Sequence, residues 1–229
     1  MKAYTRAAKL LVLAATAMVM VAPTACGGGS AREEVARARP LPEYPQDLRA
    51  GEYHTNVFEP SVSFSVDKGW ALLCPLGADF VCLSRGGGED TLFTFLNVHD
   101  VYKPSRSGTV ETQPAPDDLV GWFEQHPYLQ TDEPEAVMVG GVEGKQFDVV
   151  LKDLPDGFTG TCGSECLDLF ALSDGDSWSV EEGHKNRFNV LEYVKGEQVS
   201  IVFGSPAAKF DESWPEADRV LKTVEWKGT

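Results

Sequence analysis

The chain has 229 residues and a formal net charge of −15, with 35 Asp and Glu against 20 Lys and Arg. This charge has the wrong sign for binding nucleic-acid phosphates and for a polybasic contact with anionic lipid. The composition therefore argues against a nucleic-acid partner and predicts an acidic, well-solvated surface.

The first 25 residues have the layout of an export signal. Lys2, Arg6 and Lys9 form a positive segment, and an uncharged run covers residues 10–22. A helix of these 13 residues would be only about 20 Å long, whereas a bilayer core is about 30 Å thick. The run therefore predicts a signal peptide at residues 1–25 rather than a membrane-spanning helix.

Small residues lead up to Cys26, and Gly-Gly-Gly-Ser follows it. The segment resembles the lipobox of bacterial lipoproteins, in which the cysteine is acylated and becomes the new N-terminus. Ala25 fits that pattern, although Pro23 stands where Leu is usual. The resemblance implies a palmitate-type lipid on Cys26 and a location on the extracytoplasmic face of the cell membrane. The alternative is a secretory peptide cleaved elsewhere, which would leave Cys26 as a spare thiol.

Residues 26–57 are predicted to be a lipidated tether and flexible linker. Pro40, Pro42 and Pro45 interrupt regular structure, and the charged stretch 32–39 is too short for a helix that is stable alone. A flexible chain of this length spans about 30 Å, which would hold a domain clear of the lipid headgroups. Residues 58–229 then form a single globular domain.

Alternating apolar residues predict that this domain is rich in strands. Val62, Phe64 and Val66 alternate with serines, which is the period of a half-buried strand. Residues 70–74 and 80–83 flank a short turn and predict a hairpin. Further strands are predicted at residues 91–101, 136–139, 145–151, 167–172, 178–181, 188–194 and 199–203.

Two helices are predicted, one in mid-chain and one near the end. The first begins near Pro116, which suits the first helical position, and stops before Pro127. The second covers residues 210–222, where apolar residues recur at helical spacing and Pro215 lies inside the pattern. Together with the hairpins, the helices predict an α+β fold, with two main helices packed on a central antiparallel sheet.

Four further cysteines form two local pairs in the sequence. Cys74 and Cys82 lie on the two arms of the first hairpin, and Cys162 and Cys166 close a tight loop. Proximity and an oxidising compartment favour two structural disulfides, Cys74–Cys82 and Cys162–Cys166, with a cross-pairing left open. A zinc site usually has another ligand spacing, and a redox pair usually has two intervening residues rather than three.

The sequence contains no recognised catalytic motif. It lacks the G-x-S-x-G of a nucleophile elbow and the Lys-Ser or Lys-Thr of a phosphate-binding loop. No two histidines are spaced as metal ligands, and His126 before Pro127 suits a helix cap. Oxygens for calcium are offered by Asp174, Asp176, Glu181 and Glu182, but an Asp-Gly turn followed by a solvated strand explains them better. We therefore predict no catalytic residue, no metal and no cofactor.

Some aromatic residues are candidates for a binding surface. Trp70, Trp122 and Trp214 recur at spacings typical of core positions, whereas Trp178 and Tyr102 lie nearer to loops. Trp178 and Tyr102 are therefore the better candidates for exposure to solvent.

The segments resemble those of PsbP-like and LpqN-type lipoprotein domains. Residues 64–70, Phe-Ser-Val-Asp-Lys-Gly-Trp, are similar to their early strand. Residues 139–144 resemble their central Gly-Gly turn, and residues 210–226 resemble their closing helix and strand. Residues 117–127 also resemble a segment of lipoproteins of actinobacterial type. The resemblance, over about residues 60–226, implies a PsbP-like α/β sandwich without catalytic residues, because those domains mostly act as binding or assembly modules.

These features predict a lipid-anchored extracytoplasmic lipoprotein that acts as a non-catalytic binding or assembly module of the cell envelope. Its expected partners are the membrane, through Cys26, and an envelope protein or a small ligand. The alternative is an extracytoplasmic enzyme, a hydrolase or a thiol oxidoreductase, with a deep pocket and a histidine or carboxylate of perturbed pKa. A structural envelope protein without a small ligand is a third interpretation.

Overall fold

A computed structural model describes residues 38–86, 88, 90–108, 111–161, 163 and 166–227. The predicted signal peptide and the predicted lipidation site, Cys26, lie outside these residues. Within the described ranges, no helix is long and apolar enough to cross a membrane.

Strands are the main regular secondary structure of the described chain. They are β1 (Arg39–Pro40), β2 (Gln46–Asp47), β3 (Gly51–Thr55), β4 (Val62–Val66), β5 (Trp70–Leu72), β6 (Phe80–Arg85), β7 (Leu92–Asn97), β8 (Asp100–Tyr102), β9 (Thr112–Pro114), β10 (Leu129–Thr131), β11 (Glu135–Val139), β12 (Val142–Leu151), β13 (Cys166–Ala171), β14 (Ser177–Glu181), β15 (His184–Val194), β16 (Glu197–Pro206) and β17 (Glu225–Trp226). The helices are α1 (Leu119–Gln125) and α2 (Phe210–Leu221), and a 3₁₀ turn at Ala207–Lys209 precedes α2.

Nine of these strands form a central antiparallel sheet. Their order is β10-β12-β15-β16-β7-β6-β5-β2, and β11 pairs with β12. The long strands β15 and β16 form a hairpin at the middle of the sheet. Strand β16 then pairs with β7, with Ile201 opposite Phe95, so that two segments far apart in the chain meet in one sheet.

Both faces of the central sheet are covered, and its apolar residues therefore point to both sides. Phe93, Phe95 and Phe203 pack on one face with α2 and a four-stranded sheet of order β1-β3-β4-β17. Leu96 and Phe188 pack on the other face with α1 and a four-stranded sheet of order β14-β13-β8-β9. The described domain thus has three layers and a separate apolar core in each of the two spaces between them.

The fold is mainly β-sheet with two short helices, which corrects the predicted α+β sandwich with two main helices. Helix α1 has only 7 residues, and Asp118 caps it by accepting a hydrogen bond from the backbone N–H of Gly121. Proline at position 127, just beyond α1, prevents the helix from continuing. Helix α2 has 12 residues, and most of the chain between the two helices pairs as strands.

The domain also begins earlier than the predicted boundary at residue 58. Residues 38–57, predicted to be flexible linker, contain β1, β2 and β3, and β3 pairs with β4 along its whole length. Leu41, Leu48 and Tyr53 are buried in the first core. The prolines do not prevent this arrangement, because β1 lies at a sheet edge, where a missing N–H is tolerated.

Candidate functional site

A cross-linked hairpin forms one wall of the candidate site. Cys74 follows β5 and Cys82 lies in β6, and the two are disulfide-bonded with a Cα–Cα distance of 5.5 Å. This pair is the one that proximity in the sequence favoured. Cys166 also takes part in a disulfide, while Cys162, its predicted partner, lies outside the described residues.

A groove of about 590 Å³ lies between this hairpin and strand β14. We call it the Trp178 groove, and its lining includes Cys74, Cys82, Leu92, Thr94, Trp178 and Ser179. Both the β14-β13-β8-β9 sheet and the second face of the central sheet contribute residues to its lining. Strand β14 is the end strand of that small sheet, and it borders the groove.

The groove continues into a narrow recess of about 50 Å³. Thr94, Trp178 and Glu181 line both spaces, and His184 and Asn186 line only the recess. Asn186 lies opposite Gly204 in the β15–β16 pair. A Cβ atom at Gly204 would lie 2.4 Å from Asn186 Oδ1, so the glycine is what leaves room for the amide at this position.

The recess contains two buried polar atoms without a hydrogen-bond partner. They are Nδ2 of Asn186, a residue that is only 5% exposed, and Nδ1 of His184. The His184 nitrogen lies 3.7 Å from Glu181 Oε2, which is too long for a hydrogen bond. A buried polar atom without a partner costs about 1–3 kcal/mol, so both atoms are available to a ligand group that enters the recess.

A buried carboxylate fixes the wall on the β14 side. Asp168 is 1% exposed, and its Oδ1 accepts hydrogen bonds from Thr161 Oγ1, Ser177 Oγ and Ser179 Oγ at 2.5, 2.9 and 2.6 Å. Its Oδ2 accepts the backbone N–H of Thr161 at 2.9 Å. Burial alone would raise the pKa of Asp168, but the hydrogen bonds from Ser179, Thr161 and Ser177 outweigh it and lower the pKa. The ionised carboxylate therefore ties β14 to β13 and to the loop before it.

The indole of Trp178 is held in place by the second core. It stacks on Phe170 with the ring centroids 5.8 Å apart and meets the edge of Phe188 at 5.3 Å. The side chain is half-buried and lines both the groove and the recess. Trp178 was one of the two aromatic residues predicted to be exposed, and the other, Tyr102, is also half-buried.

The lining of the groove and the recess is acidic. It contains four carboxylates and one histidine, and among the described lining residues none is Lys or Arg. The carboxylates belong to Asp90, Asp174, Asp176 and Glu181. Asp174 Oδ1 accepts the backbone N–H of Asp176 at 3.0 Å, the turn contact expected of an Asp-Gly sequence. The described residues contain no group of three or more His, Cys, Asp or Glu side chains placed to hold a metal ion.

Two other features are candidates for function, and a polar side chain at each has a hydrogen-bond partner within the protein. A cavity of about 490 Å³ lies beside α1, and the exposed Tyr193 at its edge donates to Asp117 Oδ1 at 3.2 Å. His126 is buried against Trp122 and Tyr128. Burial and the charge of Lys152 lower the pKa of His126 to about 4, and its backbone N–H bonds Phe123 O as the predicted helix cap.

Comparisons with known proteins give a resemblance in structure only. No protein-family model and no curated protein sequence matches the chain. Similar solved structures include the cyanobacterial PsbP protein of Synechocystis sp. PCC 6803, at 11% identity and a TM-score of 0.41, over 78% of this chain and 94% of that one. They also include LpqN of Mycobacterium tuberculosis, a protein involved in cell envelope biogenesis, at 9% identity and a TM-score of 0.36, over 80% and 91%.

A third similar structure is a protein of Bacteroides thetaiotaomicron, at 10% identity and a TM-score of 0.38. The match covers 79% of this chain but only 49% of that one. PsbP and LpqN represent the two kinds of domain, PsbP-like and LpqN-type, whose segments the sequence resembles. At identities this low, no site residue can be transferred from these proteins, and the candidate site is defined by the residues of this chain alone.

The sequence analysis did not predict the recess, although two asparagines in strand β15 point to it. Asn186 and Asn189 interrupt the apolar strand β15, and a buried amide in a strand needs partners. Asn189 has them, because its Nδ2 donates to Ile201 O and its Oδ1 accepts from Gln146. For Asn186 Nδ2 the structure shows none, and only the fold reveals which of the two amides faces a cavity.

Proposed function

We propose that the protein is a lipid-anchored lipoprotein on the extracytoplasmic face of the cell membrane, where it acts as a non-catalytic binding module of the cell envelope. The export signal and the lipobox-like segment ending at Cys26 support the anchor. The Trp178 groove supports the binding role. In this proposal the three-layer β-sheet domain is the scaffold that presents the groove, and the tether keeps the domain at the membrane surface.

The observation that carries the binding role is the combination of an open groove and unsatisfied polar atoms at its end. The groove volume of about 590 Å³ lies within the range of small-molecule sites, roughly 300–1,000 Å³. An aromatic side chain and a few convergent polar groups line it, as is usual for such sites. The unpartnered Asn186 amide at its end gives a ligand a specific contact to make.

The hydrogen bonds of Asp168 favour binding over catalysis at this site. A general base must accept a proton from the substrate. The oxygens of Asp168 already accept four hydrogen bonds from Thr161, Ser177 and Ser179, and its pKa is lowered by them despite its burial. We therefore assign Asp168 the role of holding the groove wall in position.

The anchor is tested by detergent phase partitioning and intact-mass measurement of the full chain expressed in a bacterium with a lipoprotein-processing system. We expect the wild type in the detergent phase, with the mass of a chain that begins at an acylated Cys26. Cys26→Ser is the control and should move to the aqueous phase. A wild-type protein in the aqueous phase, or one cleaved at another residue, would refute the anchor.

The binding role is tested by native mass spectrometry of the same protein extracted from membranes in mild detergent. We expect a retained small molecule of defined mass that is lost from a Trp178→Phe variant. Trp214→Phe is the matched control, because Trp214 is also half-buried but lies with the other core. A retained molecule that both variants keep equally would place the binding site elsewhere in the protein.

A further inference from the structure

The recess at the end of the Trp178 groove selects for the functional group that enters it. Its volume of about 50 Å³ is less than a tenth of the volume of the groove, about 590 Å³, so the recess suits a small projecting group rather than the body of a ligand. The larger groove of about 590 Å³ adjoins it through Thr94, Trp178 and Glu181. A ligand that fills both spaces therefore has a body in the groove and one projecting group in the recess.

The projecting group must accept a hydrogen bond and must not be an anion. Asn186 Nδ2 is a donor without an acceptor, so a donor-only group such as an ammonium leaves it unsatisfied. A carboxylate or a phosphate could accept this bond, but Glu181 and Asp90 line the same recess and would repel a negative charge. A hydroxyl group satisfies both sides, because it accepts from Asn186 and donates to a carboxylate or to His184.

The body of the ligand must pack against an aromatic ring and donate hydrogen bonds to the carboxylate groups around it. The indole of Trp178 offers an apolar surface, and Asp174, Asp176 and Glu181 offer carboxylate oxygens around it. These oxygens need hydrogen-bond donors that are uncharged or positive. A sugar ring has an apolar C–H face for the indole and several hydroxyl groups that donate to the carboxylates, and it carries a further hydroxyl for the recess.

We infer that the Trp178 groove binds a neutral carbohydrate, with a sugar ring against Trp178 and one hydroxyl group hydrogen-bonded to Asn186 in the recess. This inference rests on the proposed binding function and adds the ligand class. It also explains why Gly204 lies opposite Asn186. A Cβ atom at position 204 would lie 2.4 Å from Asn186 Oδ1, and a side chain at this position would therefore fill the recess.

The test is a nuclear magnetic resonance titration of the full chain, exported with Cys26→Ser so that it remains in solution. The probes are the neutral trisaccharides maltotriose, cellotriose and mannotriose, the acidic trigalacturonate, the cation spermidine and a trialanine amide. We expect at least one neutral trisaccharide to shift the resonances of the Trp178 indole N–H and of the Asn186 side-chain amide, and these shifts should saturate as the sugar concentration rises. Trigalacturonate should bind at least tenfold more weakly, because of the carboxylates around the groove.

Three variants assign the binding to the site. Trp178→Phe keeps an aromatic ring in the core and should weaken sugar binding about tenfold. Asn186→Ala should weaken sugar binding about 3- to 10-fold, the range expected for the loss of one hydrogen bond. Trp214→Phe is the matched control and should leave the affinity unchanged. The indole resonances of the buried Trp70 and Trp226 report whether each variant has folded.

The outcomes separate the carbohydrate inference from the proposed function. Saturable shifts with spermidine or the peptide amide but with no neutral sugar would overturn the inference and leave the binding module standing. A sugar that binds equally well to the Trp178 and Trp214 variants would likewise overturn the inference alone. If no probe shifts the groove residues and no small molecule is retained in native mass spectrometry, both proposals fail.

Discussion

At the scale of single residues, His126 makes the stability of the fold depend on pH. Burial and the nearby Lys152 lower the pKa of its side chain to about 4, from about 6.5 in an unfolded chain. Between about pH 6.5 and pH 4 the unfolded chain therefore binds a proton that the folded protein does not. The free energy of unfolding should fall as the pH drops from about 6.5 towards 4, by about 2–3 kcal/mol.

Substitution of His126 tests this dependence. Asn at this position can still accept the N–H of Tyr128, which His126 Nδ1 accepts in the native protein at 3.3 Å. Urea unfolding at pH 7 and pH 4.5 should show that His126→Asn loses about 2 kcal/mol of the pH-dependent change. His99→Asn, at an exposed position, should retain it. An unchanged pH dependence in the His126 variant would contradict the assignment.

Gly140 illustrates how a backbone conformation and a side chain can jointly require glycine. It has φ of 58°, and a Cβ atom would lie 2.7 Å from the Trp226 ring. The next residue, Gly141, has φ of 80° but open space around its Cβ position. We expect Gly141→Ala to cost about 1–2 kcal/mol for the left-handed backbone alone, and Gly140→Ala to cost about 1–3 kcal/mol more for the clash.

Chemical denaturation of the two alanine variants measures this difference. Both change the same type of residue in the same turn, so the difference in unfolding free energy reports the crowding of position 140 by the Trp226 ring and by the carbonyl oxygen of Val224. Equal losses in the two variants would show that Trp226 moves aside without cost. The Gly-Gly pair itself was visible in the sequence, whereas its contact with Trp226, a residue near the end of the chain, was not.

At the scale of elements, Arg187 joins two strands of the central sheet to α2. Arg187 in β15 contacts Asp148 in β12 through two hydrogen bonds of 2.6 and 2.8 Å. Its guanidinium also lies 4.5 Å from the ring centroid of Trp214 in α2. Burial alone would raise the pKa of Asp148, but the hydrogen bonds and charges of Arg187 and Lys185 outweigh it and lower the pKa.

Removal of this arginine should therefore be costly. Arg187→Met keeps an apolar side chain next to Trp214 but leaves the buried Asp148 with Lys185 alone. We expect a loss of about 2–4 kcal/mol in the free energy of unfolding. Lys103→Met breaks the exposed pair with Glu111 and should cost at most about 1 kcal/mol. Similar losses in the two variants would show that burial of the Asp148 pair contributes nothing.

The groove wall depends on Asp168 in a comparable way. Asp168→Asn keeps the shape but removes the charge and turns an amide donor towards the hydroxyl groups of Ser177 and Ser179. We expect a loss of about 2 kcal/mol or more and faster backbone hydrogen exchange in β14. Asp176→Asn, at an exposed position in the adjoining turn, should change neither. Unchanged exchange in β14 of the Asp168 variant would refute its role as an anchor.

The pH dependence of this wall follows from the same carboxylate. The pKa of Asp168 lies below the ordinary value of an aspartate, which is about 3.9. Its stabilisation is therefore fully present above that value and is lost as the pH falls through the folded pKa. Loss of order in β14 should accordingly begin only at a more acidic pH than the loss of stability due to His126.

At the scale of the whole molecule, local patterns predicted the elements better than their arrangement. The alternation of Val62, Phe64 and Val66 predicted β4 correctly, because the period of a strand is a local property. The pairing of β16 with β7 is set by how the strands pack across the domain, and no local pattern encodes it. The same applies to residues 38–57, where prolines suggested a linker although Leu41 and Tyr53 are buried in the core.

The candidate site is harder to predict because three distant segments build it. The disulfide hairpin, strand β14 and the start of β15 each contribute side chains that look unremarkable in the sequence. Trp178 was identified as a candidate for exposure, while His184 and Asn186 acquire their meaning only from the recess that they line. A buried amide without a partner is a property of the folded protein, and it is the feature on which the carbohydrate inference depends.

The proposed function requires that a ligand occupies the Trp178 groove on the extracytoplasmic side of the membrane. Hydroxyl-radical footprinting tests this requirement, by comparing Trp178 with Trp214 in intact cells and in the purified, ligand-free protein. We predict that both side chains are oxidised in the purified protein, and that in cells Trp214 is oxidised while Trp178 is protected by its ligand. Equal oxidation of Trp178 in cells and in the purified protein would contradict the proposed function.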